Sequence, residues 1–555
     1  MSSTVFATTN PPARRTARRW TGLVGTGIGV YRARRTRQLS DLAYWKRDTA
    51  RLQVEQLRTN LKRAAGAEIG RENGFASIAA RRDADLVRAY RDALPIADWY
   101  AFKDRIARMR ERGEHDVLWP GLVRDFAQTS GTTAGDKFIP ISKEMLRSNF
   151  LASLDIFSHL ARFGVALPRL TTGKALFLGG STNLSENAHG VRTGDLSGLV
   201  VPLIRWPISE IYLPGPKIAL MDHWPSKLDA MASACLDEDV RMISGMPSWT
   251  SALFEKVIEL ARAKGRHASR VLDVWPHLEV FVHGGVKYAP FRPRLGELLT
   301  GSDASDFGTR LELYPASEGF IAMQDTRGDP GLRLMSDIGN FYEFVPLEEI
   351  DNPSARAFTC SEVEKGQKYV VVMSTCAGLW RYVIGDVVEF DSIPAGLDGR
   401  GGDGPCRMRI VGRHRHFINA FGENLIGEHI ENAVASAARA CGWRVGEFTA
   451  APVYPSTTTH AGLELAIEAE DAPGMDAAAF ARAFDDALKA QNVDYTTKRT
   501  DDLGMAIPTV TTLPRGTIDR WMASRGKLGG QHKCPRCANH REILDAIVSF
   551  AQPVA

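Results

Sequence analysis

Short apolar runs alternate with longer helical stretches through the middle of the chain, and this alternation is the feature that most constrains the fold. The runs KALFLGG (174–180) and LEVFVHGG (278–285) are strand-like, and each ends in two glycines. Between them lie KLDAMASACL (227–236) and WTSALFEKVIELARAKG (249–265), which have helical periodicity, the second closed by a glycine C-cap. Three further runs up to residue 390 alternate like antiparallel strands. The pattern predicts a mixed α/β (α+β) body with several sheets.

The charge distribution separates the first forty residues from the rest. With 555 residues the chain is long enough for two to four domains. Residues 1–40 hold eight arginines and no acidic residue, whereas the remainder holds 61 basic and 65 acidic residues. We interpret 1–40 as a basic tail, disordered or loosely docked, with weak membrane-surface contact or a targeting peptide as alternatives. A basic tail on a mildly acidic body argues against a nucleic-acid enzyme.

The seven cysteines are odd in number and scattered, which favours a reducing compartment and a cytoplasmic location. No apolar run reaches the roughly 18 residues that a membrane span requires. A single CxxC, formed by Cys534 and Cys537 with His540 nearby, raises the alternative of zinc. It lacks a second pair, so two free thiols are the preferred interpretation.

Local signals mark the domain organisation. Residues 42–64 have the periodicity of an amphipathic helix, with Ser40 or Asp41 as its N-cap. The Gly/Pro/Asp-rich segment 391–405 is either a hairpin tip or a linker. We therefore predict a large domain over 41–411 and a smaller one over 412–555, which begins strand, turn, strand, helix.

The stretch FAQTSGTTAGDKFIPIS (126–142) places hydroxyls and glycines between two predicted strands, before a helix capped by Ser142. The glycine spacing is too short for a Walker loop, and no helix follows the lysine. Hydroxyls, bare amides and one ammonium suit phosphate oxygens, although a solvated hairpin remains an alternative. The candidate phosphate-binding residues are Thr129, Ser130, Gly131, Thr132, Thr133, Gly135 and Lys137.

Two carboxylates follow or interrupt strands further along. Glu318 follows Ser317 in the turn YPASEG, and a carboxylate at a strand end can hold Mg²⁺ beside phosphates. An exposed turn glutamate is the alternative. Asp386 lies between apolar strand residues in LWRYVIGDVVEF (379–390), either as a turn residue or as an acceptor for vicinal hydroxyls.

These stretches, with the glycine–arginine pair of VGRHRH (411–416), occur in an order that resembles the adenylate-forming superfamily of acyl-CoA ligases and luciferases. The stretches HGGVKYAPFRPRL, LRLMSDIGNFYEFVP and KCPRCANHREI resemble more closely the auxin-responsive Gretchen-Hagen family of acyl acid amido synthetases, in its bacterial branch. The resemblance covers about residues 50–545. It implies a firefly-luciferase-like architecture, in which a mobile small domain closes over a large one.

The resemblance implies a two-step reaction. A carboxylic acid attacks the α-phosphate of ATP to give an acyl adenylate, and an amino acid's amine then attacks the activated carbonyl. Two rival functions stay open: a ligase with a thiol acceptor, such as coenzyme A or a carrier-protein arm, and a nucleotide-binding protein without turnover. The implied partners are small molecules, and the implied state is a monomer.

The same resemblance assigns roles to individual positions. The loop at 130–133 would cradle phosphate, Ser317 and Glu318 would meet the nucleotide and its Mg²⁺, and Asp386 would accept the ribose hydroxyls. The remaining assignments are Tyr382 beside the adenosine or acyl pocket, Arg413 at the hinge, and Lys533 as the late lysine that moves over the phosphates.

Two departures from the family pattern stand out. The superfamily often has an Asp two residues after the hinge arginine, where this chain has Arg415, and plant relatives have a phosphate-facing lysine near the position of Glu423. His283 is interpreted as a structural or pocket-lining residue rather than a base. Trp206, Tyr212 and Met246 are candidates for the acid pocket, with core packing as the alternative.

Overall fold

The computed structural model of the chain describes residues 19–129, 137–179, 184–221, 223–286, 288–352, 354–414, 417–423, 425–443, 445–456, 459–469, 476–502, 504–525 and 534–551. The helices among them are α1 (Gly22–Ser40), α2 (Leu42–Ala64), α3 (Glu68–Glu72), α4 (Phe75–Ala79), α5 (Asp83–Ala93), α6 (Tyr100–Arg112), α7 (Lys143–Arg162), α8 (Leu167–Leu170), α9 (Leu196–Val200), α10 (Pro216–Ala219), α11 (Trp224–Cys235), α12 (Pro247–Ala263), α13 (Val271–Val274), α14 (Arg292–Thr300), α15 (Gly427–Cys441), α16 (Ala477–Lys489), α17 (Val493–Arg499), α18 (Thr517–Ser524) and α19 (Glu542–Ala551).

Twenty strands among the described residues form four sheets. They are β1 (Asp125–Thr129), β2 (Lys137–Ile141), β3 (Lys174–Phe177), β4 (Ser185–Glu186), β5 (Arg192–Gly194), β6 (Tyr212–Leu213), β7 (Val240–Ser244), β8 (Val280–Gly284), β9 (Thr309–Ala316), β10 (Gly319–Gln324), β11 (Leu332–Leu334), β12 (Phe341–Pro346), β13 (Lys368–Ser374), β14 (Tyr382–Ser392), β15 (Arg407–Arg413), β16 (Phe417–Ile418), β17 (Leu425–Ile426), β18 (Val445–Val453), β19 (Gly462–Ala469) and β20 (Thr509–Leu513).

The helix starts predicted from capping residues are confirmed. The backbone N–H of Tyr44 donates to the Asp41 carboxylate at 2.9 Å, so Asp41 rather than Ser40 caps α2. The N–H of Met145 donates to the Ser142 hydroxyl at 3.0 Å at the start of α7. Each cap satisfies a backbone donor that has no partner within its own helix.

The largest sheet has eleven strands in the order β12-β13-β14-β15-β11-β10-β9-β8-β7-β3-β6. From β6 to β9 neighbouring strands are parallel, and from β9 to β12 they are antiparallel. The strands predicted between 174 and 390 are confirmed as members of this sheet. Two smaller sheets have the orders β2-β1-β5-β4 and β18-β19-β20, and β16 pairs with β17.

Helices cover both faces of the parallel part of the large sheet. On β8, Phe281 packs with residues of α12 and α14, whereas Val280 and Val282 pack with residues of α7 and α1. Side chains alternate between the two faces of a strand, so a strand buried on both faces is apolar throughout. The doubly covered sheet confirms the predicted α/β class.

The prediction of a disordered tail over 1–40 is wrong for residues 22–40, which form α1; residues 1–18 lie outside the described part of the chain. Gly25 permits close packing of α1 on α8, because a Cβ there would lie 2.3 Å from the carbonyl oxygen of Leu167. The side chains of Arg32 and Arg35 both reach Asp155 of α7, Arg35 Nη2 at 2.7 Å. Part of the basic charge of this segment is therefore paired with a buried carboxylate of the protein body.

The segment 391–405 is the loop of a hairpin and not a linker. It joins β14 to β15, which are paired antiparallel in the large sheet. The Asp403 carboxylate accepts a hydrogen bond of 2.8 Å from the N–H of Ile393 across the loop. The predicted domain boundary between 411 and 412 falls within β15, two residues before that strand ends, and stays a prediction.

Within the described residues, no helix combines the length and the apolar character that crossing a bilayer requires.

We expect Asp155→Asn to loosen α1. The carboxylate is 2% exposed and accepts hydrogen bonds from both Arg32 and Arg35, so its loss leaves the largely buried Arg32 guanidinium without this counter-charge, while Arg35 keeps Asp337. Breaking such a pair costs about 3 kcal/mol. Thermal unfolding should shift down, and tryptic cleavage in α1 should accelerate. The control Asp85→Asn removes an exposed carboxylate and should change neither. Equal cleavage of both variants would contradict the assignment.

Candidate active site

A cavity of about 1100 Å³ lies at the carboxyl ends of β7, β8 and β9. Because these strands are parallel and adjacent, their last residues, Ser244, Gly284 and Ala316, meet at one edge of the sheet and line the cavity. Lys498 and Asn539 line it from the C-terminal part of the chain. Open α/β sheets bind ligands at this edge.

The flanks of the predicted phosphate loop reach this cavity. Thr129 ends β1, Lys137 begins β2, and the two residues are paired across the antiparallel strands. Both line the cavity. The predicted contacts of Ser130, Gly131, Thr132, Thr133 and Gly135 lie outside the described residues. Those five positions therefore stay predictions, and the structure places only their neighbours.

The turn between β9 and β10 faces inward. Ser317 and Glu318 line the cavity, and Glu318 is 8% exposed, so the alternative of an exposed turn glutamate is wrong. Gly319 follows with φ +142°, and a Cβ there would lie 2.6 Å from Nδ2 of Asn340. The turn therefore needs glycine directly after Glu318, and the carboxyl group has a defined place in the wall.

A tyrosine orients the second carboxylate. The Tyr314 hydroxyl donates to Oδ2 of Asp386 at 2.6 Å, and both residues line the cavity. Tyr382 also lines it, 2% exposed, with its ring edge-on to Phe102 at 6.2 Å. Asp386 sits within β14 and faces Arg413 of β15 in the register, so it is not a turn residue. The hydrogen bond from Tyr314 therefore holds the Asp386 carboxylate at the cavity wall, where it would accept hydrogen bonds from the hydroxyls of a ligand.

Three further residues named in the sequence analysis lie wholly or partly outside the described part of the structure. Arg413 is the last residue of β15, while its side chain lies outside the described part of the structure. The adjacent Gly412 lines the cavity, so the predicted hinge is close to it. Lys533 and Arg415 lie outside the described residues. Their predicted roles, and that of the Arg413 side chain, stay predictions.

Glu423 faces the protein interior. Its carboxylate is fully buried and accepts hydrogen bonds from the N–H groups of Ala420 and Phe421, at 3.1 and 2.6 Å. Burial raises the pKa of this carboxyl group. The Glu423 carboxylate therefore fixes a turn of the backbone. The neighbouring Gly422 lines the cavity.

His283 of β8 and Glu312 of β9 form a polar part of the cavity wall. Burial and the nearby Arg310 guanidinium lower the pKa of His283 to about 3, so the imidazole is neutral. Its ring stacks on Tyr288 at 4.8 Å, in keeping with a pocket-lining role. Glu312 is opposite His283 in the register, and burial raises its pKa to about 7. The protein therefore presents an acid here that titrates near neutral pH.

Of the three candidates for the acid pocket, Met246 lines the cavity. Trp206 is 73% exposed, so its assignment to the pocket is wrong. Tyr212 lies in β6 at the edge of the sheet, with its ring 5.6 Å from that of Phe177, as the core-packing alternative expects. The apolar runs around these residues in the sequence did not show which side chain lines a pocket, which is exposed and which packs at the sheet edge.

Sequence reasoning missed several residues of the wall. Tyr314 begins the motif YPASE, of which only Ser317 and Glu318 are predicted from the sequence to meet a ligand. Asp494 and Lys498 come from α17, which carries no recognisable motif. Lys498 lies among buried positions, which is unusual for a lysine, and this was the available signal that it lines a cavity.

We expect Glu312→Gln to change the pH dependence of stability. The folded pKa of Glu312 is raised from 4.5 to about 7, so the native state binds more protons than the unfolded state between these values. The free energy of unfolding therefore falls as pH rises from about 4.5 to 7. Relative to the wild type, Glu312→Gln should gain about 2 kcal/mol between pH 5 and pH 8. Denaturant unfolding at several pH values measures this. The exposed Glu259→Gln should follow the wild type, and parallel curves for Glu312→Gln would contradict the assignment.

Comparison with known proteins shows the family of the chain. Models of the GH3 family match three parts of the chain: its N-terminal domain at residues 38–214 and 194–304, its central domain at 333–395, and its C-terminal domain at 428–542. The three models together span most of the chain and follow in the expected order.

Individual relatives are distant but similar over long stretches. The indole-3-acetic acid-amido synthetase GH3.3 of Arabidopsis thaliana is 22% identical over 83% of this chain and 86% of its own length. The jasmonoyl–L-amino acid synthetase JAR4 of Nicotiana attenuata is 24% identical over 62% of this chain and 67% of its own. The solved structure of AtGH3.15 acyl acid amido synthetase in complex with 2,4-DB has a TM-score of 0.55 at 16% identity, covering 93% of this chain and 95% of that one. It supports the predicted two-domain architecture, and the family models lead to a plain conclusion: this chain belongs to the GH3 family.

Proposed function

We propose that the protein is an ATP-dependent acyl acid amido synthetase. In the first step a carboxylate oxygen of the acid bonds to the α-phosphorus of ATP, and pyrophosphate leaves. In the second step the nitrogen of an amino acid bonds to the carbonyl carbon, the bond from that carbon to the AMP oxygen breaks, and the nitrogen loses a proton. Adenylation removes the negative charge and the resonance that make a carboxylate a poor electrophile.

One observation supports the proposal most strongly. Residues from separate parts of the sequence line a single cavity at the carboxyl edge of the sheet. These residues are Thr129, Lys137, Ser317, Glu318, Tyr382 and Asp386. A cavity with hydroxyls, an ammonium and two carboxylates at separate points of its wall has the donors and acceptors that a magnesium nucleotide needs.

Mg²⁺ suits Glu318. Among the described residues there is no group of three or more His, Cys, Asp or Glu side chains that could enclose a metal ion. Mg²⁺ bound with a nucleotide needs no such enclosure, since one or two carboxylates together with phosphate oxygens and water complete its coordination. Glu318, a nearly buried carboxyl group in the cavity wall, would be the protein ligand. The ion would supply charge neutralisation at the phosphates.

The remaining nucleotide contacts follow the sequence-based assignments. The loop hydroxyls and amides at 130–135, with Lys137, would hold phosphate oxygens, and Asp386, oriented by Tyr314, would accept the ribose hydroxyls. Tyr382 would lie beside the adenosine, and Arg413 would mark the hinge. Positioning and charge stabilisation are what adenylation demands of a protein, because little covalent chemistry falls to it.

The acid would occupy the apolar part of the wall. Leu178, Met246, Trp249, Val286 and Ala289 line the cavity near the ends of β3, β7 and β8. Two relatives are named for indole-3-acetic acid and for jasmonoyl conjugation. We propose an aromatic or indolyl acid of comparable size, because an indole ring and methionine and tryptophan side chains pack well together.

The proposal includes the setting of the enzyme. We propose a cytoplasmic monomer that acts on small molecules without nucleic acid. Weak contact with an anionic membrane surface would use the outer side of α1, where Leu23, Val30 and Tyr31 are exposed on the same helix as basic residues.

A pyrophosphate-release assay tests the proposed function. Purified protein with ATP and Mg²⁺ is screened against a panel of carboxylic acids, with hydroxylamine as a general acceptor, and then with the twenty amino acids and with coenzyme A. We expect acid-dependent pyrophosphate release and amide formation with an amino acid. Thioester formation would identify the rival ligase. No pyrophosphate release with any acid would leave only a nucleotide-binding protein.

We predict that Lys533→Ala lowers the rate of adenylation at least ~100-fold, because one well-aimed donor contributes about 3 kcal/mol to such a transition state. ATP binding should stay close to that of the wild type. Acid-dependent pyrophosphate exchange measures the first quantity, and equilibrium nucleotide binding the second. The neighbouring Lys527→Ala is the matched control and should retain exchange. Exchange near the wild-type rate in Lys533→Ala would refute the assignment.

A further inference from the structure

Helix α17 presents two opposite charges to the cavity. Asp494 and Lys498 are four residues apart, which places them on one side of the helix, and both line the cavity. Neither residue has a part in the nucleotide contacts described above. The cavity thus receives a carboxylate and an ammonium from a single short element.

The surroundings of Lys498 hold its ammonium at the wall. The residue is 5% exposed, and its Nζ lies 4.3 Å from the ring centre of Trp249. Gly422 makes room for it, because a Cβ there would lie 3.3 Å from Cε of Lys498. Burial of an ammonium is unfavourable, and a neighbouring aromatic face compensates for only part of the loss of water. The ammonium of Lys498 is therefore held in the cavity wall close to Trp249.

The helix itself is anchored independently of this pair. Arg499 donates to both oxygens of Asp485 at 2.7 and 2.9 Å, and the Tyr495 hydroxyl donates to the same carboxylate at 2.6 Å. The Asn492 side chain caps the helix by accepting from the N–H of Tyr495 at 2.8 Å. These bonds fix the direction of α17, so Asp494 and Lys498 are displayed by a rigid support.

The pair lies away from the nucleotide residues. Lys498 is close to Met246 and Trp249, which follow β7, whereas Tyr314, Ser317 and Glu318 end or follow β9. β8 separates the two strands, so their ends are about 10 Å apart. With the nucleotide at β9, the space at β7 is left for the acyl group and for the molecule that attacks it.

Burial lowers the pKa of Lys498, while the carboxylates of Asp494, Glu423 and Asp195 favour its charged form. The Glu423 carboxylate is directed at two backbone amides, and Asp195 accepts from the N–H of Ser197 at the start of α9. Asp494 is the carboxylate that shares both the helix and the cavity with Lys498.

The geometry points to a binding site for the zwitterionic backbone of the amino acid acceptor. The ammonium of Lys498 binds the α-carboxylate, and the carboxylate of Asp494 accepts hydrogen bonds from the α-amino group. This inference rests on the proposed function, and it specifies which acceptor that function uses. A thiol such as coenzyme A offers no adjacent ammonium and carboxylate to match the pair.

The test compares an amino acid with its own primary carboxamide, which keeps the amine and lacks the negative charge. We use the amino acid that the acceptor screen selects. The wild type should prefer the amino acid by at least about tenfold in kcat/KM, the factor expected for one hydrogen bond to a charged group. Equal use of the two acceptors by the wild type would overturn the proposal.

Lys498→Met keeps the length of the side chain and removes its charge. It should lower kcat/KM for the amino acid about 10- to 100-fold, chiefly through KM, and change that for the carboxamide by less than about threefold. Lys498→Arg should restore part of the difference. The control Lys264→Met removes an exposed lysine just beyond α12 and should resemble the wild type.

Hydroxamate formation with hydroxylamine tests the proposed function separately from the acceptor site, because hydroxylamine carries no carboxylate for Lys498 to bind. If hydroxamate formation persists in Lys498→Met while use of the amino acid falls selectively, the acceptor site is supported. If amino acid and carboxamide are lowered equally, the acceptor site is wrong although the proposed function stands. If the wild type releases no pyrophosphate with any acid, the proposed function itself fails. Should Lys498→Met not fold, the wild-type preference between the two acceptors decides.

Discussion

The position of β9 in the large sheet determines the geometry of the site. On one side β9 runs parallel to β8, and on the other it turns back antiparallel into β10. The parallel side places the end of β9 beside the ends of β7 and β8, and the tight turn into β10 holds Ser317 and Glu318 at that edge. A longer connection after β9 would carry the carboxyl group away from the cavity, so the change in strand direction is itself a requirement of the site.

Buried arginine–carboxylate pairs join segments that are distant in sequence around this sheet. Asp325 at the end of β10 is fully buried and meets Arg333 at 3.1 Å and Arg407 at 2.8 Å. Glu343 in β12 meets Arg381 at 3.0 Å in the same manner. Removing one partner of such a pair is costly, whereas the intact pair adds little net stability. These pairs act chiefly as constraints on which segments meet, and α1 follows the same rule through Asp155.

Local patterns in the sequence predicted the elements well. The periodicity of 42–64, the cap at Ser142 and the strand at 278–285 needed only neighbouring residues, and all three are confirmed. Two predictions that depended on distant parts of the chain failed. The arginines of α1 are typical of a tail when only the local sequence is considered, because Asp155 is 120 residues away from Arg35. Nothing in the sequence around Trp206 shows that its side chain is exposed.

For the candidate site, too, the sequence revealed residue types and the structure revealed their contacts. Residue types together with the family resemblance single out Thr129, Lys137, Glu318 and Asp386, and all four line the cavity. The sequence did not reveal the hydrogen bond from Tyr314 to Asp386, or that Glu423 turns inward.

By itself, then, the sequence determined the α/β class, the family resemblance and the chemical nature of the groups that we propose to face a nucleotide, because these depend on residue types and local spacing. Only the tertiary structure decided that α1 is ordered and that Asp494 and Lys498 face the cavity. Those outcomes depend on which distant surfaces bury each other, and the free energy of such burial belongs to the pair of surfaces and not to either segment alone.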